Sequence, residues 1–204
     1  MDILLFPSMK FLFLCLFLTG ISAGQLCSQT SVPPALQSKY PGLKVEIKIT
    51  KKRDTKWKHG NNILICPTVF VEGSPKHAMG EIEATVLTIT EQVLGSRVIV
   101  DREVRKKDPD ILVLERETVK IPAVANGATR EFSFPPGRVI PNENVTSGQL
   151  YLCYILALRD PASKELLHFE TDCRKINAEL ATKPELRETL SQLTKSARLD
   201  PKYK

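Results

Sequence analysis

Residues 149–159, QLYLCYILALR, constrain the fold more than any other stretch of the chain. Both side-chain parities are apolar: Leu150, Leu152, Tyr154, Leu156 and Leu158 on one, Tyr151, Cys153, Ile155 and Ala157 on the other. A strand with that pattern is covered on both faces and lies centrally in its sheet. Periodicity alone also allows a buried helix of this length, but the aromatic and β-branched content and the flanking Gly148 and Asp160-Pro161 favour a strand.

The rest of the chain reads as short strands around it. Residues 43–50 alternate, with Leu43, Val45, Ile47 and Ile49 on one face and Lys44, Glu46, Lys48 and Thr50 on the other, the signature of a half-buried strand. Residues 63–71, ILICPTVFV, are apolar on both parities and predict a second interior strand. Pro67 within it demands a bulge or a ladder position that needs no donor. Strand patterns continue over 81–90, 97–100, 111–114, 117–123 and 129–134, with Asn126-Gly127 as a tight-turn signal. In 167–173, Leu167, Phe169 and Cys173 share a parity opposite His168, Glu170 and Asp172, as in a half-buried hairpin partner of the central strand. Thr182 and Glu185 match a capping box, and Leu186, Leu190, Leu193 and Ala197 form one stripe of a helix expected to pack on its own domain.

The expectation is an all-β fold, a β-sandwich with a short C-terminal amphipathic helix; a closed barrel is the main competitor. With 204 residues, 42% hydrophobic and 25% charged, one core suffices. The division expected is a signal peptide over 1–24, an N-terminal arm over 25–42, the sandwich over 43–176, and the helix and tail over 177–204.

Residues 11–23 are an apolar run behind Lys10 and before small residues, the layout of a secretory signal cleaved before Gln25. Met9 offers a second start. Residues 3–23 nearly reach the roughly 20 residues of a membrane span, so an uncleaved anchor is the alternative. With the signal removed no membrane span is expected, and the product is placed outside the cell. Four cysteines then remain, Cys27, Cys66, Cys153 and Cys173, an even set suited to disulfides in an oxidising compartment. Asn144-Val145-Thr146 is a glycosylation sequon in a Pro- and Asn-rich loop, with Asn144 the acceptor.

An early-strand cysteine (Cys66), a late-strand cysteine (Cys153) and Tyr151 two residues before the latter resemble the immunoglobulin-like fold at the level of the superfold. The chain departs from that pattern in having no tryptophan shortly after Cys66 and a long spacing between the cysteines. The resemblance carries no function. The expected pairing is Cys66 with Cys153 across the core and Cys27 with Cys173, tying the arm to the last strand.

Charge is the main pointer to activity. Between residues 39 and 59, eight basic residues face two acidic ones, an excess of six that equals the formal net charge of the whole chain. The positive field is therefore one-sided. Lys44, Lys48, Lys51, Lys52, Arg53, Lys56, Trp57 and Lys58 are the candidate binding residues, for a sulfated glycan or an acidic extracellular protein. The alternative for these lysines is to keep an edge strand from pairing with another molecule. Nucleic acid is not expected, since aromatic residues are not interleaved with the charges elsewhere.

No GxSxG, HExxH or phosphate-cradling glycine loop is present, and three histidines without ligand spacing give no metal motif. The chain is thus expected to be a secreted recognition or adhesion module, not an enzyme, with no cofactor. A carrier of lipid or another small hydrophobic ligand between the sheets is the alternative, and a secreted hydrolase a more remote one.

Overall fold

The computed structural model describes residues 34–56, 62–76, 78–94, 110–140 and 147–204. Expectations for the signal, Cys27, Trp57, Lys58, the strand at 97–100 and Asn144 fall outside those residues.

The protein is a two-sheet β-sandwich with the C-terminal helices packed on the outer face of one sheet and a short N-terminal helix closing one side of the space between the sheets. A short helix α1 (Pro34–Lys39) precedes β1 (Lys44–Arg53) and β2 (Ile63–Glu72), and β3 (Ile82–Leu94) and β4 (Ile111–Ile121) follow. Next come β5 (Thr129–Ser133), β6 (Gly137–Val139), β7 (Ser147–Arg159) and β8 (Leu166–Thr171), then α2 (Arg174–Leu180), α3 (Leu186–Ser191), β9 (Arg198–Leu199) and a 3-10 turn over Pro201–Tyr203. The first sheet has the order β1-β2-β5, with β6 also on β2; the second has the order β8-β7-β3-β4-β9. All pairings are antiparallel.

Local chemistry explains the layout. Pro67 sits in an unbroken ladder with β1, opposite Ile49. In an antiparallel strand the N and C=O of one residue face the same neighbour. The Pro67 carbonyl accepts from Phe134 N at 3.0 Å. Its missing donor therefore faces the interruption between β5 and β6, where Pro135 and Pro136 have no N–H either. The Asn126-Gly127 turn forms with Gly127 at φ +67°, as the sequence predicts. It carries the chain from β4 in the second sheet to β5 in the first.

Two cores result, one on each face of the second sheet. Between the sheets lie Val69, Val71, Ala84, Val86, Ile121, Leu156, Leu158 and Leu167, closed at one side by Leu36 of α1. The expected N-terminal arm is thus anchored by a fully buried leucine (0% exposed) and by a Lys39 to Asp160 ion pair. On the far face, Leu87, Ile89, Ile111, Val113, Cys153, Ile155 and Phe169 meet Ile176, Leu180, Leu190, Leu199 and Tyr203 of the C-terminal segment. From Cys153 to Leu158 strand β7 is covered on both faces, as its two apolar parities require, whereas Leu150 near its start is exposed.

Three expectations need correction. The C-terminal segment is not one helix: α2 already begins at Arg174, and α3 is six residues long with no side-chain cap. Thr182 closes α2 instead, its Oγ1 donating to Glu179 O at 2.9 Å. The leucine stripe nevertheless packs inward, and Arg116 of β4 donates to the Ser191 and Leu193 carbonyls at 3.4 and 3.3 Å, covering the end of α3. Strand β2 is interior within its sheet but covered on one face only; Leu64, Cys66 and Phe70 belong to neither core. Cys66 therefore cannot bridge Cys153 across the core: its parity is opposite that of buried Ile65, Val69 and Val71, so its side chain points away from the second sheet.

Candidate functional site

The outer face of the first sheet is built by the even-numbered residues of β1. Val45, Ile47 and Ile49 turn inward against the sandwich core, which leaves Lys44, Glu46, Lys48, Thr50 and Lys52 on the open side. Register then fixes their neighbours: Lys52 opposes Leu64, which opposes Arg138 of β6; Lys48 opposes Thr68 and, beyond it, Ser133; Glu46 opposes Phe70 and then Glu131; Lys44 opposes Glu72. The face is charged at both ends, with half-exposed Leu64, Cys66 and Phe70 of β2 among the polar side chains. One end carries Lys48, Lys52 and Arg138, and the other Glu46, Glu72 and Glu131.

The predicted basic residues separate on this map. Lys44 lies at the acidic end with Nζ 3.0 Å from Glu72 Oε1. Lys51, of inward parity, lies with Nζ 4.7 Å from the centroid of the Tyr151 ring. Tyr151 OH in turn donates to Asp172 Oδ2 at 3.2 Å, and Asp172 Oδ1 accepts the Tyr154 N–H at 2.8 Å. Lys51 is a strut between the sheets and is withdrawn from the outer face. Burial pushes the Asp172 carboxyl up, against the opposing pull of its hydrogen bonds and of Lys51. Lys44, Lys48, Lys51, Lys52, Arg53 and Lys56 are all exposed, but Lys51 and Arg53 have the parity that faces the sandwich.

Arg138 is a member of the basic end that sequence reasoning missed, since it stands 80 or so residues downstream on a three-residue strand. Its Nε lies 2.9 Å from Oδ2 of Asp54, a buried carboxylate that also accepts from Lys56 N at 3.1 Å. The one acid of the basic loop is thereby turned inward and spent on the turn. The only sequence signal was the pattern Gly137-Arg138-Val139, buried, exposed, buried once folded.

A second polar cluster lies inside the fold. Tyr154 OH donates to Glu170 Oε1 at 2.6 Å, and His168 Nε2 lies 3.3 Å from Glu170 Oε2. His168 is 2% exposed, so this cluster braces the edge between β7 and β8. Among the described residues no group of three or more metal-ligating side chains converges.

Fold and surface together define the class, a two-sheet β-sandwich with an uncovered, charge-polarised outer face. No protein-family model matches the chain, and no curated protein does. Among solved structures, a calcium-binding mutant of Bacteroides uniformis beta-glucuronidase 2 aligns with 65% of this chain at 17% identity and a TM-score of 0.34. The chain spans 13% of that enzyme's length.

Proposed function

We propose that the protein is a secreted recognition module that holds a linear polyanion, a sulfated glycan before an acidic protein, along the basic end of the outer face of its first sheet. The observation that carries this reading is the alignment of Lys48 and Lys52 on the uncovered side of edge strand β1, followed by exposed Lys56 in the turn beyond it. Four residue steps along the strand separate the first two, about 13 Å at the rise of an extended chain. Their cross-strand neighbours are Thr68 and Leu64, not carboxylates. A row of cations spaced along one line suits a chain of repeating anions better than a compact acidic patch.

The carrier reading needs room between the sheets, and that space is occupied by tightly buried side chains such as Val69, Val86, Leu156 and Leu158. A surface role is therefore the stronger of the two. The test is chromatography of the full chain on immobilised heparin. Salt-dependent elution of the wild type, with the K48Q/K52Q/K56Q variant eluting at clearly lower salt, is the expected result. Passage of the folded wild type without retention rejects the polyanion, and lipid co-purifying in native mass spectrometry would favour the carrier.

A further inference from the structure

The cysteines were expected to bridge the core and the arm, but the sheet register brings a different pair together. Ile155 of β7 stands opposite Thr171, the last residue of β8; two residues back along β7 is Cys153, and two residues past the end of β8, at the start of α2, is Cys173. Residues opposite one another in an antiparallel pair have Cβ atoms about 4.5–5.5 Å apart, near the separation a disulfide spans. The two thiols share one face and one core, with Cys153 1% and Cys173 7% exposed.

Hydrogen bonds hold Cys173 in that position. Thr171 Oγ1 donates to Tyr154 O at 2.5 Å and accepts the Cys173 N–H at 3.2 Å, while Asp172 Oδ1 accepts the Tyr154 N–H. The residue next to Cys153 is thus bonded to both residues before Cys173. Cys173 Sγ lies 3.5 Å from Tyr203 O, so the C-terminal 3-10 turn closes over the pair.

We propose that Cys153 and Cys173 form a disulfide that locks the C-terminal helical layer onto the central strand. The bond forms by thiol–disulfide exchange with an oxidised dithiol oxidoreductase or glutathione disulfide. The Cys173 thiolate attacks one sulfur of that oxidant and expels the other as a thiolate. Cys153, losing its proton to solvent, then attacks Cys173 Sγ and expels the second oxidant thiolate. Two protein thiols are oxidised, two electrons pass to the oxidant, and its disulfide becomes two thiols. The hydrogen bond from Cys153 holds the Cys173 thiol down to about 6, ahead of the backbone N–H groups of Ile176 and Lys175, which makes Cys173 the attacking sulfur.

The inference shares with the functional reading the expectation of an oxidising compartment, but its test does not need export. The full chain, purified reduced and then equilibrated in a glutathione redox buffer, is alkylated under denaturing conditions and digested with trypsin after removal of any glycan. A linked pair of peptides 139–159 and 165–174, split by reductant, is the expected product. Alkylated Cys153 and Cys173 in separate peptides, or a bridge from either to Cys27 or Cys66, overturns the proposal. Hydrogen exchange supplies a second readout: reduction should speed exchange over residues 174–204 and leave β1 and β2 unchanged, and equal exchange in both redox states counts against the lock. Heparin retention is read separately, so one idea can fail without the other.

Discussion

Lys44, Lys48 and Lys52 lie on one face of one strand, yet their surroundings give them different roles. Lys44 is paired with Glu72 among acidic neighbours, whereas Lys48 and Lys52 stand against Thr68 and Leu64. K44Q is therefore expected to leave elution from heparin nearly unchanged, and K48Q and K52Q each to weaken binding by roughly 0.2–1 kcal/mol, the usual worth of an exposed charge pair. Titration with a heparin oligosaccharide measures all three. Replacement of Lys51 should act on folding stability, since its ammonium lies over Tyr151 and beside Asp172, and equal loss of affinity from all four lysines would reject this division of labour. The period of two in residues 43–50 made the outward lysines legible from sequence. The withdrawal of Lys51 and the arrival of Arg138 were not, because both depend on which strands become neighbours.

At the scale of elements, the apolar pattern located strands better than it located their covering layers. Both β2 and β7 carry apolar residues on each parity, but only β7 acquires a helical layer on its second face; on β2, Leu64, Cys66 and Phe70 remain half-exposed. The expected hairpin of β7 and β8 forms, but β8 is buried on both faces, not half-buried: an irregularity between Leu158 and Arg159 inserts one residue at Leu167, so Leu167 joins the core between the sheets and Phe169 the second core. That extra residue moves the register by one, and without it Asp172 and not Cys173 would face Cys153, which is why counting along the sequence could not find the pair. The 3-10 turn over Pro201–Tyr203 rests on Glu179, which accepts from Tyr203 OH at 2.8 Å and lies within 2.9 Å of Lys202 Nζ. The hydrogen bond from Lys202, then that from Tyr203, holds the Glu179 carboxyl down to about 2. A depressed carboxylate stabilises the fold above its unfolded value, near 4.3, and that contribution disappears as pH falls toward 2. The terminal turn should thus loosen between about pH 4 and pH 2, seen as rising hydrogen exchange at residues 200–204. In E179Q the turn should be looser at neutral pH and lose this dependence, whereas an unchanged profile would show that Glu179 does not hold it.

For the whole molecule, the proposed disulfide would act most on the attachment of the C-terminal layer. It contributes Ile176, Leu180, Leu190, Leu199 and Tyr203 to the second core, but its helices are of seven and six residues and could not persist alone. Ion pairs help to hold it, Lys195 to Glu115 at 2.7 Å and Lys204 to Glu91 at 2.5 Å among them, yet exposed lysines contribute little individually. Closing the loop between Cys153 and Cys173 restricts the unfolded chain, and a loop of that length gives about 3 kcal/mol in the chain-entropy treatment. For a domain of this size that corresponds to a fall in Tm of roughly 6–12 °C on reduction. The C153A/C173A variant should melt near the reduced wild type and be insensitive to reductant, which separates the bond from any effect of reductant on Cys66. A wild type whose Tm is the same with and without reductant would mean that packing alone fastens the helical layer. E179Q joins the two scales: by loosening the turn whose Tyr203 carbonyl meets Cys173 Sγ, it should speed alkylation of Cys173 in the reduced protein while leaving the Tm of the oxidised protein almost unchanged.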